Sequence, residues 1–361
     1  MIGHIMRAQI QMNRKYLQIL LALVFLILLV GQFSTQGFTQ TLSKSEVVEI
    51  LGKMKQSRSE IVYNGLLEIE YKREKPRIML FTVWALPPSI YYLEPKLSGA
   101  KKRSKDTQRK FSEKKRMRRH AFQRNNREFD LFPKRKYLNL FSKNYLVEKY
   151  SGESIAGKKT VRLNVKPVHL PRFGIRLWFD ESNYFILKRE IVYYSDQNEL
   201  LTMRHEFKKI EYGVTLPDSI IAKVGAKNEY HRRTGKRPGS RYKTVSELIN
   251  KTEVTPFLPE YLPDGFELIS IVFKQETGRN IIHFHYTDGL LNLSIFEIKG
   301  PPPKSFERLL NQPKNRKGQN YSFQQMIIKK VNRHSFLLIG NFSRIEIQQI
   351  ADSLERIDPK L

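Results

Sequence analysis

The strongest constraint on this fold is a long run of strand-like alternation behind one capped helix. Within 43–57, Ser43 and Glu46 sit at capping-box spacing. The Ser43 hydroxyl can accept the N–H three residues on, and Glu46 can reach back to the Ser43 N–H. Val47, Val48, Leu51 and Met54 follow near helical spacing, which predicts an amphipathic helix. From Ser59 the period shortens to two. Ile61, Tyr63, Gly65, Leu67, Ile69 and Tyr71 alternate, and strands follow at 77–86 and 89–93 with Pro87-Pro88 between them. Further strands are expected at 136–141, 145–150, 159–165, 175–180, 185–194 and 200–210. One helix followed by eight or more strands on mostly short turns implies an antiparallel α+β fold. The sheet is long enough to curve into a half-barrel around helices, with an apolar concave face.

A second, smaller unit follows. Residues 231–252 are basic, polar and marked by Gly and Pro, and read as a linker with a short helical turn at 246–250. Strands are expected at 266–274, 280–286, 291–297, 326–331 and 335–340, with Asp288-Gly289 as a hairpin turn. Ser343 is a candidate N-cap for a closing helix over 343–357. Phe266, Phe284, Leu293 and Phe296 are the expected core of this unit, and Trp178 is expected in the core of the first. The boundaries drawn are 1–39 for a leader, 40–230 for the larger domain with an insertion at 101–127, 231–252 for the linker and 253–358 for a C-terminal α/β domain.

The leader changes how the charge is read. Arg14 and Lys15 precede twelve unbroken apolar residues, Ile19 to Val30, which is the pattern of an export signal. Either a cleaved signal peptide or a retained anchor places the rest of the chain outside the cytoplasm. The net charge is +29, and 101–127 holds thirteen Lys/Arg against Asp106 and Glu113. In the cytoplasm such charge would suggest nucleic acid. Behind an export signal the expected anions are lipid headgroups, lipopolysaccharide phosphates or an acidic protein surface. Lys101, Lys102, Arg103, Lys114, Lys115, Arg116, Arg118 and Arg119 are the candidate anionic-lipid ligands. The same stretch also suits a plain solvated loop.

Catalytic patterns are missing from the sequence. It has no phosphate loop, no G-x-S-x-G and no H-E-x-x-H, and no cysteine for thiol chemistry or metal binding. His283 and His285 share a strand face but lack a third ligand nearby. Asp180 and Glu181 point to opposite faces and make no acid pair. A non-enzyme without cofactor or metal is expected.

Two segments resemble one family. The first is YLVEKYSGESIAGKKTVRLNVKPVHLPRFGIRLWFD at 145–180. The second runs over 258–297, where LPEYLPDGFELI precedes HFHYTDGLLNLSIFE. Both are similar to segments of the RseB/MucB family, in the family's order. Gly152, Gly157, Arg176, Trp178, Asp180, Pro263, Gly265, Phe266, Asp288, Gly289 and Phe296 carry the resemblance, and each reads first as a structural residue. The resemblance implies a LolA/LolB-like first domain, a curved antiparallel sheet around an apolar cavity. It also implies a periplasmic regulator of envelope-stress sigma factor signalling. Such a protein binds the periplasmic region of a membrane-spanning anti-sigma factor and responds to lipid or lipopolysaccharide. A lipid or lipoprotein carrier without a regulatory role is the alternative. A membrane surface is a further partner under either reading, and nucleic acid is not an expected one.

The charge argument has a direct test. Replacing the Lys and Arg residues of 114–119 by Ser should weaken cosedimentation with anionic vesicles and leave the fold intact. Undiminished binding would remove the anion-binding role from this stretch.

Overall fold

The computed structural model describes residues 40–72, 76–86, 90–95, 133, 135–221, 239–276, 278–299 and 323–356. The leader, the basic stretch 101–127 and residues 231–238 lie outside the described residues. Within them the chain builds two open, curved antiparallel sheets.

The first sheet has nine strands. In chain order these are β1 (Gln40–Thr41), β2 (Tyr63–Tyr71), β3 (Arg77–Leu86), β4 (Ile90–Pro95), β5 (Tyr145–Ser151), β6 (Thr160–Pro167), β7 (Arg172–Asp180), β8 (Ile186–Tyr194) and β9 (Glu199–Tyr212). Their spatial order is β1-β5-β6-β7-β8-β9-β2-β3-β4. Register shifts interrupt the β7–β8, β8–β9 and β2–β9 ladders. Such bulges add local twist and bend a sheet.

Helix α1 (Lys44–Glu60) begins on the expected capping box. The Glu46 N–H donates to Ser43 Oγ at 3.4 Å, and the Ser43 N–H donates to Glu46 Oε2 at 2.8 Å. Its Val47 and Leu51 side chains lie on the concave face with Val147, Leu163, Val165, Ile175 and Leu177. The face is apolar where the helix packs on it. A cavity of about 10 Å³ remains between them. That is about one water's worth of space among the described residues.

The strand expected at 136–141 is instead a turn of 3₁₀ helix (Arg135–Tyr137) leading into α2 (Leu138–Asn144). Tyr137, Leu140, Phe141 and Asn144 are the buried residues. Their spacing of three, four and seven is helical, and it outweighs the alternation of Tyr137 and Asn139 with their neighbours.

The second sheet is ordered β10-β12-β13-β14-β16-β15. Its strands are β10 (Ser240–Tyr242), β12 (Glu267–Glu276), β13 (Arg279–Thr287), β14 (Asn292–Lys299), β15 (Gln325–Val331) and β16 (His334–Gly340). Part of the segment read as linker therefore belongs to this sheet, with Arg241 of β10 opposite Val272 of β12. Helix α3 (Val245–Thr252) follows and buries Leu248. The closing helix, α4 (Arg344–Asp352), is shorter than expected. The Ser353 hydroxyl takes the Tyr261 N–H at 3.1 Å. The chain then turns into β17 (Leu354–Arg356), which pairs with β11 (Phe257–Pro259).

The inner face of this sheet packs Phe284, Leu293, Ile295, Phe336 and Leu338 against Ile347, Ile350 and Ala351 of α4. Phe296 is not among them. It stacks on His283 at 4.1 Å on the opposite face. The period of two explains the misplacement, because 293, 295 and 297 share one face and 296 takes the other. The inner slot falls to Glu297, which is 1% exposed. Its Oε2 accepts the Phe257 N–H at 3.0 Å, and Oε1 lies 2.7 Å from His334 Nδ1.

Burial pushes the Glu297 carboxyl up to about 7 from an ordinary 4.5. The folded state thus holds a proton that the unfolded chain has already lost between those values. Stability from this site is present below about 4.5 and lost as the pH rises to about 7. Glu297→Gln keeps an acceptor for Phe257 and removes the charge. It should raise stability at pH 8 by about 3 kcal/mol, a gain that fades toward pH 4.5. Thermal melts across this range check it, and a lower melting temperature for the variant at pH 8 would contradict it.

Candidate functional site

The two segments that carry the family resemblance meet each other. The turn 288–291 between β13 and β14 is a hairpin turn, as Asp288-Gly289 predicts, yet it is buried throughout. Asp288 organises it from within. Its Oδ1 accepts the Leu290 N–H at 3.0 Å and the Leu291 N–H at 2.7 Å. Its Oδ2 faces the first sheet, where the Tyr145 hydroxyl donates at 2.7 Å and Arg172 Nη1 lies at 3.4 Å.

Arg172 opens β7 and is 4% exposed. Its other arm donates to the Asp264 carbonyl at 2.5 Å, and its guanidinium lies over the Phe266 ring at 5.3 Å. Asn144, at the end of α2, completes the contact. Its amide lies 3.0 Å from the Leu140 and Asp288 carbonyls and 3.1 Å from the Gly265 carbonyl. Gly265 (φ +78°) and Gly289 (φ +102°) take backbone conformations that favour glycine. A side chain at either would also strike Asn144 or the Phe141 backbone.

The electrostatics follow from burial. Desolvation raises the Asp288 carboxyl above its ordinary value, against the Tyr145 hydroxyl, Arg172 and the two turn N–H groups. Burial and the nearby Asp288 charge raise the Tyr145 phenol well above its own. Each charged partner is fully enclosed, so this constellation holds the two sheets in register with one another. Removing one member of such a pair costs about 3–5 kcal/mol, because the other is left buried and uncompensated.

The remaining motif residues have local work. Arg176 reaches Glu199 and lies 3.7 Å from Glu190 on the outer face of the first sheet. Trp178 is buried in a core cluster, as expected. It lies on the outer face, with Lys188 4.3 Å and Arg162 5.9 Å from its ring and Ile155 packed in the same cluster. Its neighbours across the strands are Arg162 and Lys188, so the polar face claims it. Asp180 accepts the Ser182 N–H at 2.9 Å and the Tyr212 hydroxyl at 3.0 Å. Gly152 lies against Thr160, and Gly157 has φ +75° in the loop between β5 and β6. Phe266 packs on Phe342 at 4.9 Å, next to the turn that contains Pro263. The candidate lipid ligands between Lys101 and Arg119 lie outside the described residues.

Tyr145, Asn144 and Arg172 escaped the sequence reading as functional positions. A signal was available for the turn they grip. Asp288-Gly289 is followed by Leu290-Leu291, and two leucines in a turn point to a docked rather than a solvated one. A second buried polar pair lies on the concave face, where Arg189 Nη2 is 3.1 Å from His205 Nδ1. Burial and the Arg189 charge push His205 well below its usual range, so the imidazole is neutral.

On the seam itself, Val168 and Leu170 of the loop between β6 and β7 are 48% and 44% exposed, and Tyr261 is 42% exposed. His169 Nδ1 lies 3.9 Å from Asp264 Oδ2, which brings that loop against the segment holding Tyr261.

Three solved structures are similar to this chain. The crystal structure of MucB in complex with MucA(peri) matches with 14% identity and a TM-score of 0.50, covering 86% of this chain and 99% of that one. The complex structure of Pseudomonas aeruginosa MucA/MucB gives 14% identity and 0.48, covering 87% and 99%. The crystal structure of MucB gives 15% and 0.46, covering 87% and 98%. At 14% identity the first of these is a likeness of fold. No curated protein matches the chain. Residues 97–224 match the family model for the MucB/RseB N-terminal domain, a span whose described part runs through α2 and β5–β9. Over that span the chain is similar to the MucB/RseB N-terminal domain.

Proposed function

We propose that this chain is an exported binding protein that regulates an envelope-stress sigma factor by holding the periplasmic region of a membrane-spanning anti-sigma factor. The carrying observation is the match of 97–224 to the MucB/RseB N-terminal domain. The fold supports it, being shared with a MucB that was solved bound to MucA(peri). The export signal read from 1–39 would bring the two proteins to the same side of the membrane. The role is one of binding, without catalysis.

The seam is where we place the partner. Val168, Leu170 and Tyr261 offer apolar contact beside the buried clamp. A rigid, partly apolar site limits the ordering cost of binding. Leu170→Asp combined with Tyr261→Asp should weaken binding of the purified anti-sigma periplasmic region at least about tenfold, or ~1.4 kcal/mol. The melting temperature should stay unchanged. Full affinity in the double variant would move the docking site elsewhere, and no complex with the parent chain would reject the regulatory reading.

Lipid sensing is the finer part of the proposal, and it requires movement. With about 10 Å³ left on the concave face, an acyl chain enters only if α1 withdraws. Adding a phosphorylated amphiphile should therefore speed hydrogen exchange across 44–60. Unchanged exchange at saturating amphiphile would argue against an internal lipid site.

A further inference from the structure

The segment 260–265 is held from both sides of the seam. Toward the second sheet, the Glu260 N–H donates to the Ser353 carbonyl at 3.0 Å and the Tyr261 N–H to the Ser353 hydroxyl at 3.1 Å. Toward the first sheet, the Asp264 carbonyl accepts from Arg172 and the Gly265 carbonyl from Asn144. The loop between β6 and β7 is tied to the same asparagine, because the Val168 N–H donates to the Asn144 carbonyl at 2.9 Å. Glu260, Tyr261 and Asp264 are exposed, while Leu262 is half-buried and Pro263 buried. The outward side of this segment is therefore an aromatic ring with a carboxylate on either side of it in the chain.

The charge here is opposite to the charge of the chain. The sequence carries 64 Lys and Arg and a net +29, yet residues 252–273 contain neither and hold Glu253, Glu260, Asp264 and Glu267. The loop from Pro167 to Pro171 has no Lys or Arg, and Arg172 behind it is already paired with Asp288. Glu355 of β17 adds another carboxyl, close enough to Glu260 to raise that group above its ordinary value. Two carboxyls side by side resist ionising together, and a cation placed between them removes the conflict. Arg356 turns to the other face of its strand, where its charge acts on Glu297. Among the described residues, the ion partner of the Asp264 carboxylate is the His169 ring at 3.9 Å, too far for a hydrogen bond.

We propose that the segment docked at the seam is basic and amphipathic, with an apolar side chain against Val168, Leu170 and Tyr261 and with Lys or Arg beside it reaching Asp264 and the Glu260–Glu355 pair. The inference rests on the seam being the docking site of the anti-sigma periplasmic region, and it adds the chemistry of the docked segment. Apolar contact supplies affinity, and the carboxylates supply register and choice of partner. Elsewhere on a chain of +29 a basic segment meets like charge, which disfavours wrong placements. At physiological ionic strength charges act over about 8 Å, so the carboxylates at the seam outweigh distant positive charge. An arginine gains further by lying over the Tyr261 ring.

The test is a titration of the full chain with the purified anti-sigma periplasmic region at one near-physiological ionic strength. Glu260→Gln, Asp264→Asn and Glu355→Gln together should weaken the complex about tenfold, as expected of several rim ion pairs. Glu260→Lys with Asp264→Lys should weaken it further. A partner with acidic residues in place of the basic ones of its docked segment should recover affinity for that reversed variant. These side chains are exposed, so melting temperatures should hold; if the triple variant melts lower, Asp264→Asn alone carries the test. Full affinity in the neutral variant would overturn the proposal, and the seam would stand as the docking site if Leu170→Asp with Tyr261→Asp still weakens binding. Tighter binding would overturn it in favour of an acidic segment. A parent dimer lost in the neutral variant, read by sedimentation, would assign the seam to a second copy instead. No complex with the parent chain would overturn the regulatory reading and this inference with it.

Discussion

A buried carboxylate, Asp288, ties the two sheets together. One of its oxygens closes its own turn on Leu290 and Leu291, and the other receives Tyr145 and faces Arg172 from the first sheet. The same side chain closes the turn and docks it on the groups across the seam. Local and long-range order thus rest on the same side chain. The apolar core continues across the contact, with Phe141, Tyr145 and Phe173 in one cluster with Phe266, Leu290 and Phe323. The apolar area supplies most of the attraction, and the polar clamp selects one arrangement from the many that apolar contact would permit.

Other features follow from how each sheet divides its faces. The first sheet gives its concave side to α1 and its outer side to ion pairs such as Arg204–Glu70 and Lys208–Glu206. Partly exposed pairs of this kind contribute little individually, so the concave packing carries the stability. The second sheet gives its inner side to α4 and, through Glu297, tolerates one carboxylate there.

Much of this was legible beforehand because it depends on local pattern. The capping box of Ser43 and Glu46 formed as the spacing requires. Most strands fell within a few residues of the alternation that announces them. The errors have physical causes. Segment 136–141 alternates briefly, but its burial has helical period. Phe296 is large and apolar, yet parity puts it outside while Glu297 goes in. Trp178 is buried in a core cluster as its size suggests, while strand parity sets it between Arg162 and Lys188. The clamp was the least legible part, because its members are far apart in sequence and a local pattern says nothing about which turn will be buried. The two motif segments were visible individually, and only the fold shows that they touch.

A double-mutant cycle between Arg172 and Asp288, read by equilibrium denaturation of the full chain, tests the central claim most directly. Arg172→Met and Asp288→Asn should each destabilise the protein by about 3 kcal/mol or more. The double variant should lose much less than the sum, giving a coupling of about 2 kcal/mol. Small and additive losses would contradict the account. They would mean that apolar packing alone holds the sheets together.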